Sequence, residues 1–80
     1  MKLKESYSSK QAACRAMWRY VRHLQCEGVH TGALRGDNGY TAQWINNSKG
    51  CTEWATVDHD NNYYRGERKW FVRLSTTEQY

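Results

Sequence analysis

Eighty residues with a formal net charge of +4 make one small basic domain, which buries only roughly 60–65 % of its unfolded surface and has a thin stability margin. Hydrophobic residues are 39 % of the chain, and 14 % aromatics with four Trp exclude ordinary disorder, since large rings supply core area that a mean hydropathy of -1.01 otherwise denies. No apolar run approaches the about 18 residues that a membrane span needs. Because Met1-Lys2-Leu3-Lys4-Glu5 turns polar at once, no signal peptide is expected, and Cys14, Cys26 and Cys51 are read as reduced thiols of a cytoplasmic protein.

The first element in chain order is a helix from Ser9 to Glu27. Ser8-Ser9-Lys10-Gln11 has the pattern of a capping box, and Gly28 suits the left-handed position after the last turn. At about 100° per residue, Ala13, Cys14, Met17, Trp18, Tyr20, Val21 and Leu24 share one arc and form the core face. Met17, Val21 and Leu24 are expected to be nearly inaccessible. Arg15, Arg19 and Arg22 form a stripe on the other side, about 10 Å long at 1.5 Å rise per residue.

Beyond Gly28 the pattern turns to short alternating runs. Val29 to Arg35 reads as a first strand, and Gly36-Asp37-Asn38-Gly39 as a hairpin turn. In Tyr40 to Asn46, the residues Tyr40, Ala42 and Trp44 alternate with Thr41, Gln43 and Ile45. After a turn at Asn46–Gly50, the run Cys51 to Asp58 opposes Thr52, Trp54 and Thr56 to Cys51, Glu53, Ala55 and Val57. Asp58 to Asn62 reads as a polar loop leading to Tyr63-Tyr64-Arg65, and Trp70, Val72 and Leu74 alternate with Phe71 and Arg73 in a closing strand. The fold expected is α+β, with one N-terminal amphipathic helix on one face of a three- or four-stranded antiparallel sheet. Residues 1–80 form one domain with ends frayed at about 1–6 and 75–80. Trp18, Trp44 and Trp70 are expected to pack inside, and the second sheet face, around Thr41, Gln43 and Glu53, to stay open.

Motifs for chemistry are sparse. No phosphate loop, nucleophile elbow or metalloprotease helix is present, so catalytic residues, cofactors and small-molecule substrates are not expected. His23, Cys26 and His30 cluster near the helix end and could recruit Cys51 to a zinc ion, but they lack a Cys-x-x-Cys pair. Asp58, Asp60 and Asn62 begin like a calcium loop, yet Tyr63 stands where glycine is needed and Lys69 where a bidentate glutamate is needed. No metal site is therefore assigned. Arg35-Gly36-Asp37 matches a cell-adhesion tripeptide, but its glycine and aspartate belong to the turn on backbone grounds alone.

What stands out is charge beside aromatic rings. Arg15, Arg19 and Arg22 on the helix, with Tyr63, Tyr64, Arg65, Arg68 and Lys69 in the second half of the chain, combine guanidinium forks with planar surfaces. With a sequence pI of about 9.1, these residues suit a polyanion, although a net charge of this size also serves plain solubility. The expectation is a non-enzymatic binding protein acting on a nucleic acid or on a protein of a nucleic-acid-handling complex. The alternative is a phage or mobile-element inhibitor that binds a protein of a host defence or transcription complex.

Overall fold

The computed structural model describes residues 2–60 and 69–77. One helix, α1 (Lys10–Cys26), precedes four strands, β1 (Leu34–Arg35), β2 (Thr41–Ile45), β3 (Thr52–His59) and β4 (Trp70–Thr76). The strands form an antiparallel meander in the order β1-β2-β3-β4, the α+β arrangement that the hydrophobic periods imply.

Ser9 is the N-cap of α1: its backbone is extended and its side chain accepts the Ala12 N–H at 3.1 Å. The cap falls one residue later than the capping-box pattern places it. Gln11 is then the second helical residue, not the third, and is out of phase to reach back. At the other end Gly28 takes φ +82° and donates to the Gln25 carbonyl, while Val29 N–H donates to the Leu24 carbonyl. These bonds satisfy carbonyls that the last turn would otherwise leave bare.

Ala13, Met17 and Val21 of α1 pack on Ala42 and Trp44 of β2 and Ala55 and Val57 of β3. The alternation expected for β2, β3 and β4 holds, and the register aligns it: Ala42 pairs with Ala55 and Val57 with Val72, all toward the helix. Trp44 is buried in this core, whereas Trp18 and Trp70 pack against it and keep part of their surface exposed. Leu24 is only half-buried, against expectation, because a cleft of about 240 Å³ between the end of α1 and Leu74 leaves one side of it open.

The segment expected as a first strand pairs only at Leu34 and Arg35. Residues before it are used otherwise. Val29 accepts the Asn47 N–H at 2.8 Å. His30, 2 % exposed, places Nε2 2.9 Å from the Val21 carbonyl and its ring against Trp44. A carbonyl only accepts, so Nε2 carries the proton and donates. Two further boundaries move. β3, expected to reach Asp58, extends to His59 in what was expected as a loop, and beyond it Asp60 N–H donates to the Lys69 carbonyl. Ser75 and Thr76, expected to fray, pair with Trp54 and Glu53.

Glu53 lies on the helix side of the sheet, not on the open one. The same oxygen, Oε1, accepts from Trp44 Nε1 at 3.1 Å and from Asn46 Nδ2 at 3.0 Å. Asn46 Oδ1 in turn accepts from Ser48 and Lys49 N–H, which shapes the β2–β3 turn. Glu53→Ala strands two buried or half-buried donors and should cost about 1–3 kcal/mol. Glu53→Gln keeps an acceptor oxygen and should cost less, a difference that urea denaturation of the two variants will read.

The opposite face of the sheet carries Leu34, Thr41, Gln43, Ile45, Thr52, Trp54, Thr56, Asp58, Phe71, Arg73 and Ser75. No described element packs over it. Asp58 and Arg73, its two charged residues, are paired at 2.9 Å. No helix among the described residues is long and apolar enough to cross a membrane.

Candidate functional site

α1 lies over β3 and β4. Of the β1–β2 hairpin, Ala42 and Trp44 reach the core beneath the helix, and a groove opens between the helix and the hairpin's turn end. Its volume is about 460 Å³, with Cys14, Arg15, Trp18, Arg19 and Arg22 along the helix wall and Arg35, Asn38, Gly39 and Tyr40 along the hairpin wall. A second cleft of about 300 Å³, reaching Val21, Gln25 and Ala33, shares Trp18, Arg22 and Arg35 with the first. The two make one furrow along α1 from Cys14 to Gln25, about 16 Å at helical rise.

The hairpin wall is set by local chemistry. Gly36 N–H donates to the Thr41 carbonyl and Gly39 N–H to the Gly36 carbonyl, while Asn38 Oδ1 accepts the Tyr40 N–H at 2.9 Å. Gly39 adopts φ +73°, which a side chain disfavours. Asn38-Gly39 thus supplies the turn as expected, and the turn fixes Arg35 and Tyr40 opposite the helix.

All three helix arginines, expected to line one stripe, are exposed and border this groove. The structure adds a fourth: Arg35 holds its guanidinium carbon 5.1 Å from the centre of the Trp18 ring. At the groove's Tyr40 end, Lys10 Nζ stands 3.5 Å above the Tyr40 ring. Among the described residues no carboxylate lines either cleft, and none of the four guanidiniums forms an ion pair. The indole N–H of Trp18 is buried with no acceptor among the described residues.

Of the second basic group, Tyr63, Tyr64, Arg65 and Arg68 lie outside the described residues. Lys69 is exposed just before β4 and does not line the groove. Arg35 and Trp18 were missed as site residues, the first read as the end of a strand and the second as core. A signal for Arg35 existed. Extending the Asn38-Gly39 hairpin by one pair sets Arg35 opposite Ala42, whose alternation with Trp44 already points it at the helix.

Residues considered for metal are engaged separately. His23 pairs with Glu27 at 2.8 Å, His30 is turned into the core, and Cys51 accepts from the Thr76 hydroxyl at 3.4 Å. Among the described residues no group of three His, Cys, Asp or Glu side chains could hold a metal ion. All three cysteines are free: Cys26 exposed, Cys14 half-buried and Cys51 buried. A thiol reagent should therefore modify Cys26 first, Cys14 more slowly, and Cys51 only after unfolding, with three equivalents in denaturant. No family model, curated protein or solved structure matches the chain.

Proposed function

We propose that this chain is a binding protein, acting without catalysis, that modulates a nucleic acid or a nucleic-acid-handling assembly by occupying it through the furrow between α1 and the β1–β2 hairpin. The observation that carries the reading is the gathering of Arg15, Arg19, Arg22 and Arg35 around one furrow with no carboxylate among the described residues of its walls. Like charges brought together on a marginally stable domain repel, and a phosphate chain relieves that repulsion while each planar fork finds acceptors. Titration against random-sequence DNA and RNA at two salt concentrations tests it. Binding should be measurable and weaken linearly in log affinity against log salt, because phosphate contacts release condensed counterions. Affinity that ignores salt, or no binding to either polymer, would sink the reading.

A second reading, a protein-directed inhibitor, is favoured by the open face of the sheet. Leu34 is 72 % and Ile45 63 % exposed there, and they share that face with the half-buried Trp54 and Phe71, large side chains of the kind that anchor protein interfaces amid polar neighbours. Under it, both polymer titrations stay flat, and Trp54→Ser removes target binding while groove substitutions leave it intact.

A further inference from the structure

We infer that the furrow takes a single strand rather than a duplex, with an unpaired base seated on the Trp18 ring in place of the Arg35 guanidinium. The inference rests on the nucleic-acid reading above and deepens it. A duplex presents phosphates and base edges, since its base faces are hidden in the stack. A duplex could meet Arg15, Arg19 and Arg22, but it has no free base face to set on the ring of Trp18, which would stay under Arg35. A single strand offers both charges and flat faces, the combination that sequence-tolerant single-strand sites use. Here the two features are interleaved: Trp18 lines both clefts of the furrow, with arginines on the helix side and Arg35 on the hairpin side.

Arg35 over Trp18, at 5.1 Å, occupies the place such a base would take. A cation on a partly exposed ring is held weakly, so a base can displace it. The freed guanidinium then has a phosphate of the same strand as a new partner. The exchange moves no covalent bond. It turns one intramolecular contact into a stack and a charge-assisted pair.

The test uses the full chain with labelled oligothymidine, oligouridine and a blunt duplex of equal length, followed by anisotropy at two salt concentrations. The single strands should bind at least about tenfold tighter than the duplex. Trp18→Leu should cost the single strands about tenfold, the scale of one lost base stack, and leave the salt slope unchanged. Arg35→Gln, at an exposed position, should flatten the slope by about 0.7, one phosphate contact on a single strand. A preference between the thymidine and uridine polymers, or equal binding, names the strand as RNA, DNA or either, and supports the inference in each case. If Trp18→Leu fails to fold, protection of Cys14, which shares the groove, replaces it: its modification should slow with oligothymidine bound and not with duplex. Duplex binding as tight as single-strand binding overturns this inference and leaves the nucleic-acid reading standing. Failure to bind any of the three overturns both.

Discussion

Met17→Ala should cost about 2–5 kcal/mol, the range for removing a buried aliphatic side chain and leaving a cavity. Met17 is 0 % exposed and, among the described residues, is the largest fully buried side chain, held between α1 and the centre of the sheet. At about 0.05–0.15 kcal/mol per residue, a domain of this size has only about 4–12 kcal/mol in all, so the variant should lose a large share of its stability. Leu24→Ala should cost less, near the lower end of the same range, because Leu24 is half-buried beside an open cleft. Urea midpoints read at unchanged slope measure both. A Leu24 effect larger than that of Met17 would mean that the helix is rotated from the phase described.

The same two residues mark how far the amino-acid order alone reaches. The phase of α1 was legible because a 3.6-residue period carries Ala13, Met17 and Val21 to one side however the sheet is built. The depth of each residue was not, since it depends on how closely the sheet approaches the helix, and a cleft opens between Leu24 and Leu74. Alternation in Thr41–Ile45, Thr52–His59 and Trp70–Thr76 fixed which side of each strand faces inward, because a one-residue slip would turn every side chain over. The segment Val29–Ala33 misled for a physical reason. Its residues look strand-like, but tertiary bonds from Asn47 to Val29 and from His30 to Val21 take the place of a ladder. The arginine stripe was legible from spacing. Its pairing with Arg35 and Trp18 was not, because the stripe belongs to the helix alone and the furrow exists only once the hairpin is laid beside it.

The furrow gives charge a location, and that can be separated from charge as such. Arg19→Gln combined with Arg35→Gln removes two exposed guanidiniums from opposite walls. Contacts to charged groups contribute about 1.5–3 kcal/mol each, so nucleic-acid affinity should fall by roughly two to four powers of ten. The salt slope should flatten by between about 1.4 and 1.8, at 0.7–0.9 per phosphate. The control is Arg73→Gln, which removes one charge from the open face of the sheet, where Arg73 is paired with Asp58. If binding were a diffuse response to the net charge of +4, Arg73→Gln would weaken it about as much as either groove substitution alone. Binding through the furrow instead requires Arg73→Gln to leave both affinity and slope nearly unchanged. Both outcomes are read in one set of titrations, with circular dichroism to establish that each variant is folded. Equal losses from the two faces would discard the furrow as the site and leave only a basic protein that adheres to polyanions.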